Sequence, residues 1–136
     1  MRTIGLAVLA CTAIAAPATA EKIISFTSPS GNIGCIVSDT YGARCDITVK
    51  DWSRGPRPSG CPTITDWGQG LWVTRKGRGH IVCAGDTAMT KGHHLAYGHS
   101  RSVGRFTCTS RTTGMTCTNR RTHHGFRLAR ESYRLF

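Results

Sequence analysis

From residue 21 onward, apolar residues recur at alternate positions over short stretches and nowhere sustain the 3.6-residue period of an amphipathic helix. Such alternation buries one face of a strand and wets the other. Gly, Pro, Asn, Asp and Ser punctuate the stretches where turns belong. The pattern predicts strands over 23–27, 34–38, 43–49, 71–75, 80–84, 105–109, 115–118, 126–129 and 133–136. In Arg105-Phe106-Thr107-Cys108-Thr109 the Phe and the Cys share one face, while the Arg and the Thr residues take the other. That is half-buried antiparallel sheet. The expected fold is all-β, a small antiparallel sandwich or barrel, with a core of aliphatics, Phe and the three tryptophans Trp52, Trp67 and Trp72. Two stretches break the pattern: the Pro-rich, basic segment 53–60, read as a surface loop tied down at Cys61-Pro62, and 91–99.

The cysteines sharpen this picture. Beyond residue 20 there are six, and an even number in a short chain reads as a disulfide framework. Many pairings are open to six cysteines. Nearness along the chain favours Cys35-Cys45, Cys61-Cys83 and Cys108-Cys117, since the first and last pairs each bracket a turn, at 39–42 and 111–114. Closing such a short loop is worth about 2–3 kcal/mol by the chain-entropy relation. The two ends also look like copies of one cysteine-closed hairpin, with Phe26 leading to Cys35 and Cys45, and Phe106 leading to Cys108 and Cys117.

The start of the chain has a different character. A basic Met1-Arg2 precedes an apolar run over 4–16, and Ala18-Thr19-Ala20 forms an A-x-A cleavage site before Glu21. Residues 1–20 are therefore read as a secretory signal peptide and 21–136 as a single disulfide-stapled domain, secreted to the periplasm or outside the cell. The run is shorter than the ~20 residues a membrane-spanning helix needs. A rival reading takes Val8-Leu9-Ala10-Cys11 as a lipobox with Cys11 lipidated, but the apolar run continues past Cys11 to a good cleavage site.

Charge narrows the partner. The chain carries 18 Lys and Arg against 7 Asp and Glu, a net charge of +11, and most of the cations are arginine. Arginine's planar fork suits carboxylate and phosphate, so the expected partner is anionic: a cell-wall polymer, a polysaccharide or an acidic protein. The densest positive stretch is Arg120, Arg121 and Arg127 with His124 among them. Nucleic acid is disfavoured as partner, because the aromatics do not interleave with the basic stripe as stacking platforms do. Asp86 and Thr87, with Tyr97 and His99, are candidates for a small polar pocket, and an Asx-type turn is the plainer explanation of Asp86-Thr87. Six histidines raise metal binding, yet neighbouring strand residues point to opposite faces and the cysteines are consumed by disulfides. No metal site or cofactor is predicted. No G-x-S-x-G elbow is present, and nothing in the spacing of His99, His124, Arg101 and Arg127 requires the acid–base pair of a small nuclease. No catalytic residue is assigned.

With SPSGNIGC at 28–35, ARCDI around Cys45, CAGDT around Cys83, LAYGHS at 95–100 and HGFRLAR at 124–130 in order, the chain resembles a family of uncharacterised small secreted bacterial proteins, grouped as a domain of unknown function. The resemblance runs from Phe26 to Phe136 and implies no activity. Relatives commonly show Gly-His-Gly-Phe where this chain has His123-His124-Gly125-Phe126. If that glycine is needed at positive φ, His123 is strained or the turn is drawn differently. The reading is an exported, non-catalytic binding module for an anionic partner. The alternatives are an enzyme inhibitor presenting the braced loop 53–60 and a small secreted hydrolase or nuclease.

Overall fold

The computed structural model describes residues 9–136. The basic start of the chain and the first part of its apolar run lie outside them. Residues 9–22 hold no strand or helix, and Cys11 there is exposed and outside the disulfides. No helix of the described residues is long and apolar enough to cross a membrane.

Ten strands make up the described residues: β1 Ile23–Thr27, β2 Ile33–Ser38, β3 Gly42–Ile47, β4 Trp67–Val73, β5 His80–Cys83, β6 Ser100–Val103, β7 Phe106–Arg111, β8 Gly114–Asn119, β9 Gly125–Leu128 and β10 Tyr133–Leu135. They form two five-stranded antiparallel meanders, β1 to β5 and β6 to β10. β3 and β4 of the first lie against β8 and β9 of the second, so the architecture is a sandwich and not a closed barrel. One strand, β6, falls where the pattern predicted a break to end. Its Ser-Arg-Ser-Val carries a single apolar side chain, because an edge strand buries little.

Cys35 faces Cys45 across β2 and β3, and Cys108 faces Cys117 across β7 and β8, so each disulfide joins directly opposed residues. The third bond, Cys61-Cys83, ties the long β3–β4 loop to β5. All three pairs are those favoured by proximity. The first two disulfides are wholly buried and touch at the centre of the sandwich, with Cys45 Sγ 3.5 Å from Cys117 Sγ. Phe26, Phe106, Phe126, Leu71, Leu128 and Met115 pack around them. None of the tryptophans is fully buried in this core, although Trp52 packs against it. Trp52 is half-buried against Tyr133, Trp67 lies between the guanidiniums of Arg54 and Arg57, and Trp72 sits beside His80 on the outer face of the first sheet. Their N–H groups explain the difference, since each reaches a carbonyl of a loop: Ala129, Gly55 and Tyr41 respectively.

The two meanders share one register. Cys45 and Cys117 each face an apolar residue preceded by glycine, Gly70-Leu71 and Gly125-Phe126, and these face Ile81 and Leu135 in turn. A Cβ on either glycine would lie 2.1 Å from the carbonyl oxygen of the equivalent cysteine. Strand for strand, β1 to β5 correspond to β6 to β10. The phenylalanines do not correspond: Phe26 lies on β1 opposite Cys35, whereas Phe106 lies on β7, the strand of Cys108 itself.

Candidate functional site

The strand directions gather the β2–β3 turn and the β4–β5 loop of the first sheet with the β6–β7 and β8–β9 turns of the second. This end of the sandwich carries Arg75, Lys76, Arg78, Arg105, Arg120 and Arg121. Its acids are Asp39 and Glu21, the latter accepting a hydrogen bond from the Thr40 N–H. The other acids lie elsewhere: Asp46 and Asp86 on the first sheet's side, and Asp51, Asp66 and Glu131 in the loops of the opposite end.

Asp39 holds the basic end together. Its carboxylate accepts the Arg105 backbone N–H at 2.9 Å and the Arg105 Nε at 3.4 Å, and the Arg75 guanidinium stands 3.7 Å away. The Arg105 N–H first, and then its guanidinium, hold the Asp39 carboxyl below its ordinary range despite some desolvation. Gly104, at φ 54°, permits this approach: a Cβ there would lie 2.0 Å from the Asp39 carboxylate. Arg120 reaches across and donates to the Gly104 carbonyl. Asp39, Gly104, Arg105, Arg120 and Arg121 line an open hollow of about 380 Å³.

Beneath the hollow lies Asn119, a fully buried polar residue at the end of β8. Its amide nitrogen donates to the Thr74 and Arg75 carbonyls at 3.2 and 3.3 Å, and its amide oxygen accepts the Arg121 and Thr122 N–H groups at 3.0 and 3.4 Å. One side chain thus fixes the arginine turn of the second sheet to the arginine loop of the first. His123 closes the turn at φ 63°, the left-handed region, with its N–H on the Asn119 carbonyl. The turn keeps the conformation that a glycine would take, and the histidine adopts it.

The residues singled out from the sequence fall into separate places. Arg120, Arg121 and His124 share the β8–β9 turn at the basic end. Arg127 sits on β9 with its guanidinium on the Thr113 carbonyl and the Ser132 hydroxyl. Tyr97 lines a small cleft at the opposite end with Ser28, Ser30 and Arg111. His99 lies beside it, its carbonyl accepting the Ser110 N–H. Asp86 and Thr87 are not brought to that cleft. Arg44 donates to Asp46 at 3.0 and 2.8 Å and to Asp86 at 2.7 Å, while Thr87 Oγ and the Ala88 N–H donate to Asp46. The Arg44 contact depresses the Asp86 carboxyl. This network pins the β5–β6 connection to β3. In the loop 53–60, Arg57 is turned inward onto the Pro62, Thr63 and Thr65 carbonyls.

A model described as a family of unknown function (DUF6636) matches residues 5–136. The chain belongs to this family. No curated protein and no solved structure matches it. Asp39, Arg75, Arg105 and Asn119 were not among the residues singled out from the sequence. A signal existed only for Asn119, since Asn before Arg-Arg-Thr is an Asx-turn pattern.

Proposed function

We propose that the protein is a non-catalytic, exported binding module whose basic end grips an anionic polymer or an acidic protein face. The observation that carries the reading is the convergence of six Lys and Arg side chains from three separate loops on one end, against Asp39 and Glu21. Two carboxylates leave most of that positive charge uncompensated, and a polyanion supplies the missing countercharge. The leader-like start and the disulfide framework fit an exported protein.

The test is binding of polyphosphate at two salt concentrations. Affinity falls steeply with salt in the wild type, and Arg120→Gln with Arg121→Gln lowers it about tenfold at low salt and flattens the salt dependence. Unchanged affinity in that double variant removes the basic end as the site. The inhibitor reading has one observation in its favour, the internal bracing by Arg57; a swap of residues 53–60 for a Gly-Ser linker that leaves peptidase activities in the host's secretions unaffected disposes of it.

A further inference from the structure

The outer face of the second sheet carries a different chemistry. Alternation turns Phe106, Cys108, Met115, Cys117, Phe126 and Leu128 into the core and their neighbours outward. Strand register then aligns the outward residues in two rows. One row runs Ser102, Thr107, Thr118, Gly125, and the other runs Ser100, Thr109, Thr116, Arg127, Arg134. Adjacent strands lie about 4.8 Å apart and alternate residues about 7 Å apart along a strand, so six hydroxyls form a regular grid. Side-chain hydrogen bonds between Ser100 and Thr109 at 2.6 Å, and between Ser102 and Thr107, hold part of it in order.

Beside the grid, Arg127 and Arg134 are directly opposed on β9 and β10. Like charges in that position destabilise a sheet, and none of the five strands carries an acidic residue to offset them. Arg134 lies 5.0 Å from the ring of Phe136, which shares its face two residues on. The Phe136 backbone pairs with Gly125 in both directions, extending the first row with an aromatic ring next to a position that has no side chain.

We propose that this face binds a polysaccharide bearing carboxylate groups. Each Ser or Thr hydroxyl both donates and accepts, as sugar hydroxyls do. The opposed guanidiniums match carboxylates in charge and in fork geometry. The Phe136 ring offers an apolar face to the ring of a sugar. A row across five strands is about 19 Å long, which suits an extended chain better than a single sugar. The inference is independent of the reading of the basic end, where cations stand without the hydroxyl grid.

The test uses the disulfide-bonded protein on immobilised polygalacturonate, with its methyl ester as the uncharged form of the same chain and polyphosphate as a polyanion without sugar. Polygalacturonate retains the protein at about 0.3 M salt, where charges alone are screened within a few ångströms, and the methyl ester does not. Thr109→Val with Thr116→Val, which keeps the β-branched shape, weakens retention about tenfold. Arg127→Gln with Arg134→Gln weakens it about a hundredfold. Arg120→Gln with Arg121→Gln weakens polyphosphate binding yet keeps polygalacturonate at that salt. Thermal melts matching the wild type show that the variants are folded. Equal retention of the methyl ester overturns the proposal, as does wild-type binding by the Thr→Val pair or loss of polygalacturonate in the Arg120 and Arg121 variant alone.

Discussion

Asn119→Ala removes the side chain that fastens the two sheets at the basic end. Two carbonyls, of Thr74 and Arg75, lose their donor, and two N–H groups, of Arg121 and Thr122, lose their acceptor. Each such hydrogen bond contributes about 1 kcal/mol net, and groups left buried without a partner cost more than groups that water reaches. The Arg121 and Thr122 amides lie at the surface end of the turn and rehydrate, so the expected loss is about 2–4 kcal/mol, not the sum of four full penalties. For a domain of this size that lowers Tm by about 8–15 °C. Polyphosphate affinity, measured well below either Tm, falls as well, because the Arg120 and Arg121 turn no longer holds its place beside Arg75. Asn119→Asp separates the two halves of the network. A carboxylate still accepts the two N–H groups but cannot donate, and it meets the Thr74 and Arg75 carbonyls as a buried charge, so it destabilises at least as much as alanine. Paired thermal melts of the two variants decide the matter. A loss under about 1 kcal/mol in Asn119→Ala, or an Asn119→Asp protein as stable as wild type, refutes the assignment of Asn119 as the bridge.

Three further outcomes follow from the geometry. Asp46 is almost fully buried and holds Arg44 and the Ala88 N–H, so Asp46→Ala costs about 3 kcal/mol in denaturant unfolding; Asp86→Ala, whose carboxylate is 80% exposed, costs under about 1 kcal/mol, and the reverse order contradicts the network. The Asp39 carboxyl is depressed in the folded protein, so its contribution is present above the ordinary carboxylate range and is lost as pH falls through the folded value. Wild type therefore loses stability below about pH 4 relative to Asp39→Asn, and parallel acid-unfolding curves for the two exclude this role. His123 occupies the left-handed region, where a side chain costs about 1 kcal/mol; His123→Gly raises the free energy of chemical unfolding by about that amount and its midpoint with it, and a lower midpoint means that the imidazole contributes contacts of its own.

Local chemistry made most of the scaffold legible. Cysteines nine and ten residues apart around Gly-bearing turns read directly as closed hairpins, because the turn and the bond impose the same register. β1 matches its predicted span, and most of the other predicted strands differ by a residue or two at an end, because side-chain alternation does not mark where ladder hydrogen bonds start and stop; β4 begins four residues before its predicted start. β6 escaped because its pairing depends on β7 and not on its own apolar content. The tryptophans misled for a related reason: bulk alone placed them in the core, whereas their N–H groups hold them at loops. The basic end was half visible. Arg120 and Arg121 are adjacent in sequence, but Asp39 and Arg105 are 66 residues apart and meet only through the face-to-face packing of the sheets. No local pattern records such a meeting.

The common register of the two meanders has a historical implication. Equivalent residues that touch each other, as Cys45 and Cys117 do, mark an axis of approximate two-fold symmetry, the arrangement of a self-associating pair whose subunits have become one chain. Such an ancestor presents two identical ends. In the present molecule those ends differ: one carries arginines around Asp39, and the other carries the long stapled loop between β3 and β4 and the long connection from β5 to β6. Neither specialisation is open to a symmetric pair, in which every substitution appears twice. A single chain lets each end change alone.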